Sequence, residues 1–213
     1  MSLKLNSSGG GSVTLQEPAT ASALTLNLPA VNGTVVSTGD TGSVTSGMLA
    51  NGSVTAAAVA AGAVVQVLQS VKTDTFSTNS ASYVDVTGLS VSITPSSASN
   101  RILVTFHIHG AYTNIGMCQL VRNSTAIALG DAAGSRQQGT VGALHNSGDP
   151  NAMWVFSMTF LDSPATTSAT TYKLQVRGES ATNPIVVNRS VSDANTPTGL
   201  RGISSITVME VKG

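Results

Sequence analysis

The sequence predicts an all-β protein in two parts, an extended N-terminal stalk followed by an antiparallel β-sandwich head. Three observations predict it. Residues 42–65 repeat a ten-residue unit, with Gly42, Gly52 and Gly62 each followed by a small residue and a valine. From residue 65 onward, short runs of alternating apolar and polar residues recur between Gly, Pro, Asn, Asp and Ser clusters, the pattern of half-buried strands joined by turns. Every Phe, Tyr and Trp lies at Phe76 or beyond, so the large side chains that dominate a globular core belong to the C-terminal part alone.

Residues 1–40 make the first segment. Leu3 and Leu5 alternate in a short polar stretch that reads as a docking strand or a frayed end. Gly9, Gly10 and Gly11 break the chain before Val13 and Leu15. Leu24, Leu26 and Leu28 alternate as a strand that stops at Pro29, and Thr34, Val35 and Val36 follow a turn at residues 31–33. This reads as a β meander that needs a partner chain.

Residues 41–65 make the second segment. Val44, Leu49, Val54, Val59 and Val64 put an apolar residue at every fifth place. A helix would repeat its face at three and four residues and a strand at two, so the spacing fits neither. Short extended pieces and tight turns fit better. A stripe this thin closes no core within one chain, so the expectation is that these five residues are the interface of a homo-oligomeric shaft. A flexible Ala/Gly/Ser linker is the competing reading.

Residues 66–213 make the head. Val65, Val67 and Gln69 begin one strand; Tyr83, Val84 and Val86 a second, continued after Gly88 by Leu89, Val91 and Ile93. Residues 101–110 alternate most clearly: Ile102, Val104, Phe106 and Ile108 share one face, Leu103, Thr105, His107 and His109 the other. Residues 117–122 and 126–129 flank a hairpin turn at Asn123, Ser124 and Thr125. Trp154, Phe156, Met158 and Phe160 are expected to face the core from one strand. Residues 171–177, 185–188 and 203–211 complete the set, and no helical pattern exceeds a turn or two.

Only 9% of residues are charged and the net charge is zero. Ten Lys and Arg scattered among ten acids form no basic patch, so nucleic acid is excluded as a partner. The uncharged run 44–71 is long enough to span a bilayer, but its Ser, Thr, Asn, Gln and Gly make insertion unfavourable. Residues 1–11 lack the apolar centre of a signal peptide. Cys118, the single cysteine, sits in a strand-like run and reads as a small buried hydrophobe.

The decads, of the form Gly-Ser-Val-Thr with Leu49-Ala50 midway, resemble the shaft repeats of bacteriophage fibre proteins, in which three parallel chains wind about one axis. Residues 9–40 are similar to another segment common in phage tail-fibre and virion proteins. The basic residue often found inside such repeats is here Met48 and Ala58. The closing strand, residues 204–213, resembles the terminal strand of phage fibre heads. The resemblance implies an intertwined stalk and a jelly-roll-like head of the kind seen in trimeric fibre heads and in tumour-necrosis-factor-like and complement-like domains. It implies a homotrimer on the surface of a virion, anchored at its N-terminus to another virion protein and attaching to a host-surface glycan or protein. A capsid-mounted head fibre or cement protein is the alternative within the same class, and a carbohydrate-active enzyme the rival outside it.

Enzyme chemistry is not expected. No Gly-x-Ser-x-Gly elbow, Walker loop or zinc spacing is present. Asp131, Asp149, Asp162, Glu179 and Asp193 fall in predicted loops or strand ends, where solvation explains a carboxylate. The better functional surface is the long polar loop predicted over residues 130–150. Arg136, Gln137, Gln138, His145 and Asn146 lie in it and offer hydrogen bonds to saccharide hydroxyls. His107 and His109 share a strand face; three chains meeting at an axis would bring six imidazoles to one transition-metal ion. His-x-His motifs bind metal along the axis of some phage fibres, within slender shafts rather than heads. Two strand histidines bonded to neighbours or water is the plainer reading.

Overall fold

The computed structural model describes residues 2–6, 9–10, 12–16, 49, 54, 58–144, 149–179, 182–197 and 199–213. It divides into two compact units, Met1–Ala50 and Asn51–Gly213. In the first, β1 (Ser2–Asn6) and β2 (Ser12–Gln16) pair antiparallel, with Leu3 opposite Leu15 and Leu5 opposite Val13. Gly10, at φ 86°, takes the left-handed position that the connection requires. The strands predicted near residues 24–28 and 34–36, and Val44 of the shaft stripe, lie outside the described residues.

The second unit is all β, with no helix among the described residues. Its strands are β3 (Val64–Lys72), β4 (Phe76–Thr78), β5 (Val84–Ile93), β6 (Arg101–Tyr112), β7 (Ile115–Arg122), β8 (Thr125–Ile127), β9 (Val141–Leu144), β10 (Trp154–Asp162), β11 (Thr170–Arg177), β12 (Ile185–Val187) and β13 (Ser204–Val211). They form two antiparallel sheets of six and five strands.

The long strand β6 organises the first sheet. Gly110 pairs with Trp154 of β10 and with Val187 of β12, and Leu103 pairs with Leu161 of β10 and Met209 of β13. A strand has two edges, so β10 occupies one, and β13 and β12 lie end to end along the other. Beyond them β3 pairs β13 and β4 pairs β12. The sheet is therefore four strands wide, with two of its strands interrupted. Asn188 bridges both interruptions: at φ 62° its Nδ2 donates to the carbonyls of Lys72 and Asp74, 2.8 and 2.9 Å away, while Oδ1 accepts from Ser204 Oγ at 2.7 Å.

The second sheet runs β5, β11, β7, with β8 and β9 sharing the far edge of β7. On β5 six residues, Asp85 to Ser90, oppose the three from Gln175 to Lys173 of β11. Gly88, at φ 85°, sits within that irregularity. One core lies between the sheets. Ile102, Val104, Phe106, Ile108, Ile206 and Val208 of the first meet Leu89, Val91, Leu120, Tyr172, Leu174 and Val176 of the second. The predicted faces of β6 are as expected over residues 101–110, where even-numbered residues are buried and odd-numbered ones are not; Ala111 beyond them is buried as well.

Several expectations change. Residues 130–150 are not one loop, because Val141–Leu144 pairs with β7; four residues containing two alanine and glycine positions carry too little apolar alternation to announce a strand. β4 was equally silent in the sequence, being three residues long. On β10, Phe156, Met158 and Phe160 pack against the core, but Trp154 is 43% exposed. It stands at the end of the strand, tilted against Tyr112 at 6.5 Å. Asp162 is not a solvated carboxylate. It is buried and bound by Arg122 Nη1 at 2.8 and 2.9 Å and by Tyr172 Oη at 2.6 Å, which ties the end of β10 to the second sheet.

Candidate functional site

Residues 128–142 leave β8, cross the end of the second sheet and return as β9. The excursion is closed at its base, where Gly130 N donates to Gly139 O at 3.3 Å and Gln138 Nε2 to Gly130 O at 2.7 Å. Thr140 fixes the return: its N donates to Cys118 O at 2.9 Å, and its hydroxyl accepts from Leu120 N at 2.8 Å and donates to Ile127 O at 3.2 Å. Tyr83 Oη donates to Gln138 O at 2.9 Å from beneath, under the guanidinium of Arg177. Gly139 is needed here, since a Cβ would stand 2.8 Å from that hydroxyl oxygen. Burial raises the Tyr83 phenol above its ordinary value, so it is a neutral donor.

Against this frame lies an open cleft of about 510 Å³, within the range of small-molecule sites. Arg136 and Gln137 stand on one wall; Met117, Val141 and Gly142 form the floor. Of the residues expected to touch a receptor, Arg136 and Gln137 come together at the cleft. Gln138 instead serves as an internal brace, with both its side chain and its carbonyl engaged. His145 and Asn146 lie outside the described residues. Met117, Val141 and Gly142 were missed because a floor is assembled by strand pairing, and an apolar strand residue looks the same in sequence whether it lines a cleft or a core.

A second depression, about 160 Å³, lies over residues 190–201. Its charges are spent on one another, Arg201 Nη1 lying 2.7 Å from Asp193 Oδ1.

The histidine pair lies elsewhere, on the outer face of the first sheet. His107 pairs with Ser157 and Ser205, its Nδ1 3.5 Å from Ser205 Oγ; His109 pairs with Val155. Gly202 lies so close over His109 that a Cβ there would sit 2.2 Å from Nδ1. No group of three metal-ligating side chains occurs among the described residues. Cys118 is fully buried and burial pushes its thiol far up, so it is no nucleophile.

The outer face itself is unusual. Across β3, β13, β6 and β10 the register aligns three rows: Val67, Met209, Leu103, Leu161; then Gln69, Thr207, Thr105, Thr159; then Val71, Ser205, His107, Ser157. None carries a carboxylate, an ammonium or a guanidinium. Val67, Val71 and Leu161 are 53%, 49% and 40% exposed, and Val155 alongside is 58% exposed. Of the shaft stripe, Leu49, Val54 and Val64 are exposed and Val59 is half-buried.

Compared with protein-family models and with curated proteins, the chain matches none.

Proposed function

We propose that the chain is a structural protein of a bacteriophage virion, a homotrimer with an intertwined N-terminal stalk and a jelly-roll head, mounted on the particle surface and acting in attachment to the host cell. The observation that carries this reading is the three uncharged rows that cross the outer face of the first sheet, from Leu103 to His107 on β6. Val67, Val71, Val155 and Leu161 gather on that face in the open, and clustered exposed apolar side chains mark an interaction surface. Four strands about 4.8 Å apart, crossed by three rows about 7 Å apart, cover roughly 400 Å², about half of the roughly 800 Å² that one partner contributes to a stable interface. A second copy suits these rows because they are neutral and rich in Thr and Ser, so like surfaces meet without repulsion.

Two further features support the reading. The strand order, four strands wide in each sheet with the terminal strand β13 central, suits a jelly roll. The stalk also feeds directly into the face. Gly62 N donates to Lys212 O and Lys212 N to Ala63 O, at 2.8 and 2.9 Å, so the last decad is fastened to the end of β13. Copies held together by their decads would arrive with these faces adjacent.

Sedimentation equilibrium tests the assembly. The expected mass is three times the 21.4 kDa of the chain, and Met209→Glu with Leu103→Asp is expected to weaken association, because each would bury like charges. A wild-type chain that stays monomeric at micromolar concentration overturns the proposal. Labelled antibody against the head, applied to whole particles, then places it on the tail or on the capsid lattice.

A further inference from the structure

We propose that the cleft beside Arg136 takes an anionic saccharide, its acid group held by the Arg136 guanidinium and its ring laid on the floor of Met117, Val141 and Gly142. The inference rests on the attachment reading above and names the class of receptor within it.

Charge points the same way as shape. Among the described residues Arg136 is the one charged side chain lining the cleft, and no carboxylate among them lines it. Asp131, the one acid in residues 128–142, is exposed and stands off the wall. Among the described residues Arg136 joins no ion pair, as Arg101 and Arg177 do not, whereas Arg122, Arg189 and Arg201 each have an Asp partner; of the unpaired three it alone lines the cleft. Its Nη1 makes a single hydrogen bond, 3.3 Å to Ala133 O, and its own backbone N donates to that same carbonyl at 3.2 Å. That turn aims the side chain while leaving most of its N–H donors for a ligand, in a planar fork that matches a carboxylate or a phosphate. A cation on the wall of a cleft, with no ion-pair partner among the described residues, selects for an anion.

The rest of the lining selects for a sugar ring. Gln137 is exposed and makes no side-chain hydrogen bond among the described residues, so its amide can both donate to and accept from a hydroxyl. Thr140 lines the cleft too, but its hydroxyl is already committed on both sides. The floor is apolar and low, because Gly139 and Gly142 carry no side chain and Met117 is an adaptable thioether. Such a surface suits the C–H face of a pyranose, which has apolar character on one side and hydroxyls around its rim.

The test uses the full-length chain on an array of linear oligosaccharides of matched length: uronic-acid oligomers, the same oligomers reduced to neutral sugars at the carboxyl, and phosphate-substituted oligomers. The wild type is expected to bind one or both acidic sets and not the reduced set, and which set it binds identifies the acid. Arg136→Gln is expected to weaken that binding by about tenfold to a hundredfold, the loss of a charge-assisted hydrogen bond, and Arg136→Lys to restore part of it. Equal binding of reduced and acidic sugars, unmoved by Arg136→Gln but abolished by a cleft-filling Gln137→Trp, overturns the anionic inference and leaves saccharide attachment standing. Trimeric wild type that binds no oligosaccharide on the array overturns saccharide recognition at this cleft altogether. The three variants lie at two exposed loop positions, so circular dichroism is expected to show an unchanged fold.

Discussion

Glu210 is the residue on which the closing strand depends. It points into the core from β13 and is fully buried. Burial would raise its carboxyl, but donors from Asn100, Gln66 and Ser96 outweigh that and hold it below the ordinary glutamate value. Asn100 Nδ2 lies at 2.5 Å, Gln66 Nε2 at 2.5 Å, and Ser96 gives its N at 2.7 Å and its hydroxyl at 2.8 Å. These groups come from β3 and from the β5 to β6 connection, so one carboxylate ties three pieces of chain together. Glu210→Ala strands four donors and is expected to cost about 3 kcal/mol. Because the folded carboxyl is the stronger acid, its contribution is complete above the unfolded value of about 4.3 and is lost as pH falls through the lower folded value. Acid titration of thermal stability is expected to show a loss below about pH 4 in the wild type that Glu210→Gln flattens.

At the scale of elements, β10 behaves as an edge strand packed on one side. Phe156 stacks on Tyr112, with centroids 6.0 Å apart and rings 16° from parallel, and packs against the core. Phe156→Ala is expected to cost about 3 kcal/mol, the lower end for a large core aromatic because the side chain is only part-buried. Trp154→Ala is expected to cost less than half of that, and urea unfolding of the two variants checks the order. The crossing of β6 and β12 is tighter still. A Cβ on Gly110 would lie 2.2 Å from Val186 O, a backbone atom that cannot turn aside. Gly110→Ala is therefore expected to destabilise by several kcal/mol or to part β12 from the sheet, which hydrogen exchange at Val186 and Val187 would register.

At the scale of the whole molecule, the outer face and the histidine pair make a stoichiometric prediction. One chain supplies two imidazoles and no third ligand among the described residues, so any metal held there must be shared between copies. Elemental analysis of purified trimer is expected to give one transition-metal ion per three chains on the metal reading, lost in His107→Ala with His109→Ala and weakened by chelation. Metal-free trimer with unchanged stability assigns the pair to packing, a role in keeping with Ser205 beside His107 and Gly202 over His109.

The sequence by itself determined the strands that alternate strongly. The strands read at residues 101–110, 171–177 and 203–211 declare their existence, and the first also its two faces, because a period of two with β-branched and aromatic residues on one side leaves little else for the chain to do. It also pointed to the stretch that holds Arg136 and Gln137 as a candidate, since long polar segments between strands are where binding groups collect. Only the tertiary structure decided that β10 and β13 flank β6, and so which exposed apolar residues align into rows. Register between strands far apart in sequence depends on pairing energies that no local window contains. The same holds for Glu210 and Asp162. A carboxylate reads as solvated until the fold brings donors to it from elsewhere in the chain, here Asn100 and Gln66 for one, Arg122 and Tyr172 for the other.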